Sequence, residues 1–339
     1  MDSCILRQRE QRDGDRTPTE CLASDAEDLA SQVAETAKDL VKTCRRLHNI
    51  GFDALPDWGK DNEYVKQGYR PSTKSFQDCF KSVFRWHNET GNIWTHLIGF
   101  AVLVALAVFT FSQSSFGSGY LWDSDSIVVR QLSAGEQVAF AVFFGGGLLC
   151  LLGSSVFHTV CSHSEFIAKT FNKVDYVGIV LLISGSHVAA IFYAFYCHPY
   201  THLFYTGSVV ILGSACATFM LIKRFQTRKY RTLRAYFFLA FGLFGVIPVI
   251  HILIIEGLRY AIDQCAVIWM ILMASSYILG VTIYVVKVPE CWFPGKCDFW
   301  IHSHQIFHVL VLCGIWLFYN GLLTMAEYRR MMGPSCAVE

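Results

Sequence analysis

Apolar residues along this chain are gathered into seven long runs instead of alternating with polar ones. Each run is roughly 20 residues long, the length that an α-helix needs to cross the hydrocarbon core of a bilayer. The runs are Ile93–Phe111, Val138–Phe157, Val174–Tyr196, Leu203–Ile222, Ala235–Ile255, Cys265–Val286 and Ser303–Leu323. This pattern predicts an all-α membrane protein, a bundle of seven transmembrane helices, in which Pro248 kinks or loosens the fifth.

The chain before the first run is polar and contains two shorter helical patterns. Residues 1–24 have mixed charge and no apolar core, so we expect them to be disordered and to contain no cleavable signal peptide. Asp25–Leu47 has the spacing of a soluble amphipathic helix, and Phe76–Trp86 that of a short helix in the membrane interface. The predicted domains are an N-terminal tail (1–50), a juxtamembrane segment (51–90), a seven-helix domain (91–325) and a C-terminal tail (326–339).

Basic residues in the short loops predict the orientation of the bundle. The densest cluster, Lys223–Arg234, lies between the fourth and fifth runs, and the other basic loops fall on the same side as the N-terminus. Lysine and arginine are enriched in cytoplasmic loops, so we expect a cytosolic N-terminus and an extracellular C-terminus. Asn88, which begins the glycosylation sequon Asn88–Thr90, would then be cytosolic and unmodified.

Composition adds three constraints. The chain is 53% hydrophobic and 16% charged, which is too apolar for a soluble protein of this length, and its net charge of +1 gives no sign of nucleic-acid binding. Most of the 13 cysteines lie in or beside apolar runs, so we expect reduced thiols and no disulfide framework. We interpret the basic loop Lys223–Arg234 as a topology signal that also contacts anionic lipids, and Gly145–Gly147 as a site of close helix packing.

Polar side chains from three runs are predicted to meet at one depth. His304 and His308 are four residues apart at the start of the seventh run, so a helix places them on one face. His158 ends the second run with Ser154 on the same face, and Asp175 lies in the first turn of the third. In the predicted topology all five residues lie near the inner leaflet.

Three imidazoles with a nearby carboxylate favour a Zn²⁺ site. Zinc often takes three protein ligands and leaves a fourth position for water, and such a site can support hydrolysis. Asp175 could hydrogen-bond that water or orient a ligand histidine, and Ser154 could do the same. A purely structural zinc site more often contains cysteine or fills all four positions.

Other roles for these and neighbouring residues remain open. Asp175 could be a plain acidic residue at a helix N-terminus. His302 competes with His304 but faces another side of the helix and is expected in the headgroup region, while His163 is expected in the cytosolic loop. Three further histidines inside the runs are expected to hydrogen-bond to neighbouring helices: His96, His187 and His251.

Five stretches of the sequence resemble the progestin and adipoQ receptor family, and within it the adiponectin receptors. They occur in the family's order between about residues 52 and 325. The stretches are Leu55–Tyr64, Phe84–Phe100, Phe157–Glu165, Val174–Tyr176 and Ser303–Leu310.

The resemblance implies a seven-helix bundle whose topology is inverted relative to G-protein-coupled receptors, with a zinc ion near the cytosolic face. It implies that His158, His304 and His308 bind zinc, that Asp175 contacts it through water, and that Ser154 is the serine of the same motif. It also implies signalling toward AMP-activated kinase and lipid oxidation, a lipid-sized cavity, and a link to ceramide hydrolysis shared with the alkaline ceramidases.

Two functional hypotheses follow. The first is a plasma-membrane receptor of the adiponectin-receptor type that regulates lipid and energy metabolism and contains a zinc-dependent, ceramidase-like hydrolase site. Its expected partners are membrane lipids, ceramide or free fatty acid in the cavity, and an adiponectin-like protein at the outer loop Ser112–Gln137 and the tail. Association with itself or with a related chain stays open. The second hypothesis is a non-enzymatic lipid sensor with structural zinc. A transporter is disfavoured because the polar cluster lies at one face and the sequence has no repeat.

Overall fold

A computed structural model describes residues 26–38, 49–115, 132–333 and 336 of the chain. The chain divides into two units, Met1–Asn49 and Ile50–Glu339. In the first unit residues 26–38 form an exposed helix within the predicted amphipathic stretch. The predicted disorder of residues 1–24 and most of the predicted outer loop lie outside the described residues.

The regular secondary structure in the described part of the second unit is helical, apart from one isolated antiparallel bridge between Ile50 and Tyr69. A short helix, α1, precedes the seven apolar segments, in agreement with the predicted juxtamembrane helix. The fifth segment is divided between α6 and α7. The helices are α1 (Phe76–Ser82), α2 (Thr90–Ser115), α3 (Ala134–Val160), α4 (Glu165–Ala194), α5 (Pro199–Leu221), α6 (Arg231–Leu243), α7 (Val246–Asp263), α8 (Val267–Val286) and α9 (Ser303–Met332).

Seven of these segments are long and apolar enough to cross a bilayer, which confirms the predicted fold class. The third span begins at Glu165 and not at Val174, because charged residues such as Lys169 and Lys173 interrupt the apolar residues of its first turns and lower their mean hydropathy. The fifth is interrupted at Phe244 and Gly245, just before Pro248. Proline has no N–H for the helical hydrogen bond to Phe244, so the predicted kink lies one turn before the ring.

Close packing of α3 against α4 brings the second and third spans together. A Cβ on Gly146 would lie 2.4 Å from the carbonyl oxygen of Leu181, and one on Gly178 would lie 2.8 Å from Cα of Cys150. A side chain at either position would separate the helices, so glycine permits the contact. Gly145 has open space around it, which limits the predicted packing role of the Gly145–Gly147 run to its second and third residues.

A disulfide joins Cys197, just after α4, to Cys336, after α9. The expectation that the thiols are reduced is therefore wrong for this pair. Both cysteines lie outside the apolar runs and are 139 residues apart, so no local spacing in the sequence predicts that they pair. Eight other described cysteines are free. Since α9 begins at the His304 end, the disulfide lies at the opposite end of the bundle from the predicted zinc site.

Two residues of the predicted lipid-facing basic loop are buried. Arg231 stacks over the ring of Tyr284 at 4.0 Å, and Arg234 donates to the carbonyl oxygens of Phe225 and Thr227 at 2.6 and 2.9 Å. These two guanidinium groups stabilise the fold around the loop, while other basic residues of the loop, such as Arg224, are exposed.

Candidate metal centre

His158, His304 and His308 form a compact cluster, although they come from α3 and α9. Their candidate ligand nitrogens all lie within 4.8 Å of one another. The ring centroids are 5.0, 4.9 and 4.8 Å apart, and the rings stand at steep angles to each other. Three imidazole nitrogens this close together suit the binding of a single ion.

The His158 ring is held from one side by Glu89, which sequence reasoning treated only as part of the sequon. Nδ1 of His158 lies 2.7 Å from Oε2 of Glu89, and the same oxygen accepts from Nδ2 of Asn92 at 2.6 Å. Nε2 of His158 is buried and has no hydrogen-bond partner among the described residues.

The His308 ring is held by α2, which begins directly after Glu89. Its Nδ1 lies 3.2 Å from the carbonyl oxygen of Asn92 and 3.4 Å from the hydroxyl of Thr95. His96 stacks flat against His308 with ring centroids 3.7 Å apart. The contact of His96 with a neighbouring helix is thus chiefly this ring stacking on His308 of α9.

His304 is positioned by the anchored start of α9. The fully buried Glu290 accepts hydrogen bonds from the backbone N–H of Ser303 at 2.7 Å and from the Ser303 hydroxyl. A carboxylate is favourable at a helix N-terminus because it pairs with N–H groups that have no helical partner. Glu290 also accepts from the Asn62 amide at 3.0 Å, which ties this end of α9 to the juxtamembrane segment.

A buried arginine of the juxtamembrane segment caps the end of α3 that contains His158. Arg70 donates to the carbonyl oxygens of His158 and Thr159 at 2.5 and 2.8 Å. The last carbonyls of a helix have no helical partner, and a cation there is also favoured by the helix dipole. Arg70 further donates to the Ser82 hydroxyl at 2.7 Å, which connects α1 with α3.

His87, also in this region, is buried and neutral. The backbone N–H of Glu89 donates to Nδ1 of His87 at 3.1 Å, and Nε2 donates to the carbonyl of Ser82 at 3.1 Å. Burial, with a contribution from the nearby Arg70 charge, lowers the pKa of His87 to about 3. The ring therefore acts as a neutral spacer between α1 and α2.

Asp175 and Ser154 lie beside the histidine cluster. Both side chains are buried, and the Asp175 carboxylate has the Ser154 hydroxyl and the His158 ring as polar neighbours. Because α4 begins at Glu165, Asp175 lies about three turns into the helix and not in its first turn. The dipole interaction falls off within the first turn, so the open alternative of an N-terminal helix charge does not apply.

The remaining histidines lie away from the cluster or serve other contacts. His302 is the N-cap residue of α9 and is buried, with Nε2 3.1 Å from the carbonyl oxygen of Asn88. His163 packs on Phe76 in the loop after α3. His251 of α7 hydrogen-bonds to the hydroxyl of Tyr205 in α5 at 3.0 Å, which is the predicted bond to a neighbouring helix. Nδ1 of His187 instead lies 2.7 Å from the carbonyl oxygen of Ile183 in its own helix, α4.

A cavity of about 720 Å³ opens from the histidine cluster into the bundle. Its wall includes the three histidines, Asp175 and Ser154, and continues along apolar side chains of α7, α8 and α9 such as Leu253, Met270 and Phe318. A cavity with a few polar groups at one end and an apolar remainder suits a ligand with a polar head and hydrocarbon chains.

The donor set fits a divalent metal ion with a preference for nitrogen ligands. Three imidazoles converge, one of them with an unpartnered buried nitrogen, and no thiolate is among the clustered ligands. An unpaired buried nitrogen is costly unless something binds it. Zn²⁺ accepts three histidines and keeps a further position open, whereas Mg²⁺ and Ca²⁺ prefer oxygen ligands.

Sequence comparison places the chain among known membrane proteins. Residues 84–319 match the profile of the family described as Haemolysin-III related. The chain is 40% identical over 315 residues to the "Adiponectin receptor protein" of Drosophila melanogaster, covering 91% of this chain and 67% of the relative. It is 39% identical over 289 residues to "Progestin and adipoQ receptor-like protein 1" of Caenorhabditis elegans, covering 85% of this chain and 63% of the relative. It is 36% identical over 294 residues to "Heptahelical transmembrane protein 1" of Arabidopsis thaliana, covering 86% of this chain and 85% of the relative. The chain thus spans about two thirds of the length of the two animal relatives.

Proposed function

This chain belongs to the Haemolysin-III-related family of multi-pass membrane proteins and is similar to adiponectin receptors, and from that premise we propose that it is a plasma-membrane receptor with a zinc-dependent hydrolase site. The proposed substrate is a ceramide-like lipid whose amide is cleaved, and the proposed role is the regulation of lipid and energy metabolism. The observation that supports the hydrolase site most strongly is the convergence of three imidazoles and Asp175 at the polar end of an apolar cavity.

The metal proposed for this site is Zn²⁺, held by His158, His304 and His308. Zinc bound by three imidazoles acts as a Lewis acid and lowers the pKa of a bound water to about 7. The steep ring angles and the unpartnered Nε2 of His158 support this ligand set.

The chain's own residues supply binding, exclusion of water and proton transfer. The apolar wall of the cavity takes the hydrocarbon chains of the lipid and leaves its amide at the histidine end. Asp175 accepts a proton from the attacking water at a carboxylate oxygen and returns it to the leaving nitrogen. The Ser154 hydroxyl donates a hydrogen bond that steadies the water or the oxygen on which negative charge develops.

The proposed orientation has the histidine end toward the cytosol and the disulfide end outside. The positive loops support it, and the disulfide adds support because such bonds persist in oxidising compartments. Asn88 of the sequon is also buried, which agrees with an unmodified site. In this orientation the 1–50 tail is cytosolic, and the outer loop and the 326–339 tail are available to an adiponectin-like protein.

Metal analysis combined with a ceramide-hydrolysis assay tests the proposal. We would compare the purified wild-type protein with Asp175→Ala and with Glu165→Gln, a matched control because Glu165 is an exposed carboxylate on the same helix. We expect zinc in all three proteins and hydrolysis in the wild type and the control, with a loss of roughly 100-fold or more in Asp175→Ala.

The result also separates the receptor-hydrolase from a non-enzymatic lipid sensor. A zinc-loaded wild type that binds ceramide or free fatty acid without cleaving it would favour the sensor, with zinc as a structural ion. Equal hydrolysis by wild type and Asp175→Ala would contradict the role given to Asp175.

A further inference from the structure

We infer that the start of the first span, Glu89 to Asn92, is a positioning element that fixes the ring tautomers of two metal ligands, His158 and His308. The inference rests on the metal centre proposed above. It gives a function to a polar segment, Glu-Thr-Gly-Asn, that contributes no ligand of its own.

The His158 contact defines which ring nitrogen faces the centre. A neutral imidazole has one N–H donor and one acceptor nitrogen, and a partner at one nitrogen determines the state of the other. The Glu89 carboxylate can only accept, so Nδ1 of His158 donates the proton across the 2.7 Å contact. Nε2 is then the bare nitrogen, and it is the buried nitrogen that lacks a partner within the described residues.

The His308 contact repeats this logic with a backbone group. The carbonyl oxygen of Asn92, 3.2 Å from Nδ1 of His308, can also only accept. His308 therefore donates from Nδ1 and presents Nε2, as His158 does. The two acceptors are three residues apart in sequence: Glu89 directly precedes α2 and Asn92 lies in its first turn, so the start of this helix sets both rings.

Asn92 links the two halves of the element. Its side-chain amide donates to Oε2 of Glu89 at 2.6 Å, the oxygen that receives the His158 proton. This bond aims the carboxylate while the carbonyl of the same residue holds His308. Partners of this kind commonly contribute about 10–100-fold to metal affinity, because they orient the ligand and raise its basicity.

The test measures zinc affinity by competition with a chelator of known affinity, using the full chain in detergent. We expect Glu89→Ala to weaken zinc binding by about 10–100-fold. Glu89→Gln should lose less zinc affinity than Glu89→Ala, because its amide oxygen still accepts the hydrogen bond from Nδ1 of His158, although without a negative charge. Asn92→Ala should also lose less zinc affinity than Glu89→Ala. It removes the hydrogen bond from the Asn92 amide to Glu89 and retains the backbone carbonyl that holds His308. Glu165→Gln, an exposed carboxylate in a surface pair with Lys169, should match the wild type.

A second readout separates positioning from a general loss of fold. The visible spectrum of the Co²⁺-substituted proteins reports ligand geometry, so we expect Glu89→Ala to change band positions and Glu89→Gln to restore them in part. Unfolding temperatures measured after complete metal removal should stay close to wild type for Glu89→Gln.

The outcomes distinguish this inference from the proposed centre. Wild-type zinc affinity and an unchanged Co²⁺ spectrum in both Glu89 variants would overturn the positioning role and leave the centre standing. A wild type that binds neither Zn²⁺ nor Co²⁺ would overturn the centre, and the positioning element with it.

Discussion

The packing of α3 on α4 leads to a sharp prediction, because adjacent glycines differ in their surroundings. A methyl group on Gly146 would lie 2.4 Å from the carbonyl oxygen of Leu181, whereas one on Gly145 would meet nothing within 4 Å. Ordinary contact begins near 3.4 Å, so Gly146→Ala requires α3 and α4 to move apart by 3.4 − 2.4 = 1.0 Å. The obstacle is backbone, so no side-chain rotation can relieve it.

Overpacking of this kind costs about 1–3 kcal/mol. We therefore expect Gly146→Ala to lower the unfolding temperature by several degrees. Gly145→Ala should leave it unchanged or raise it, since alanine is favoured over glycine in a helix by up to about 1 kcal/mol. The separation also moves His158 on α3 relative to Asp175 on α4, so hydrolysis should fall more in Gly146→Ala than in its neighbour.

The measurement is thermal unfolding followed by tryptophan fluorescence in detergent, with and without a metal chelator. The chelator arm shows whether the difference between the two variants exists in the apoprotein. Equal unfolding temperatures for Gly146→Ala and Gly145→Ala in both arms would refute the close contact between these helices.

Three further predictions concern the rest of the fold. Mass spectrometry without reductant should recover Cys197 and Cys336 as one linked peptide pair; detection of both as free thiols in protein from the cell surface would contradict the disulfide. Arg70→Gln should destabilise the protein by roughly 1.5–3 kcal/mol because it removes charged hydrogen bonds to the end of α3, and chemical unfolding should show no such loss for the exposed control Arg224→Gln. His87 has a folded pKa near 3, below its unfolded value of about 6.5, so its contribution to stability is full above pH 6.5 and is lost as pH falls toward 3. His87→Gln should make the loss of stability between pH 6.5 and 4 shallower by up to about 1.4 kcal/mol per pH unit, and an identical slope would show that this ring does not titrate on unfolding.

The spans and the histidine cluster could be predicted because their signals are local and periodic. A run of about 20 apolar residues indicates a membrane helix whatever the helix packs against, and the spacing of His304 and His308 places both on one helical face. His158 was predicted to lie near them from topology alone. The second span ends, and the seventh span begins, on the same side of the membrane. The structure brings these three residues together.

The supporting residues could not be predicted because their partners are distant in sequence. Glu89 lies in a polar stretch that is also a sequon, and its partner is 69 residues away. Arg70 resembles an ordinary loop arginine until the end of α3 packs beside it. The charged residues in the first turns of α4 likewise made the helix seem to begin close to Asp175. A carboxylate just before an apolar run, such as Glu89, is therefore a candidate partner for a predicted ligand histidine.

The most direct test of the central claim is the zinc content of the purified protein, measured by elemental analysis against protein concentration. We predict about one zinc ion per chain in the wild type, and none after His158, His304 and His308 are all changed to alanine. Glu165→Gln should keep the wild-type value. Stoichiometric zinc in the triple variant, or a wild type without zinc after purification in zinc-containing buffer, would contradict the metal centre.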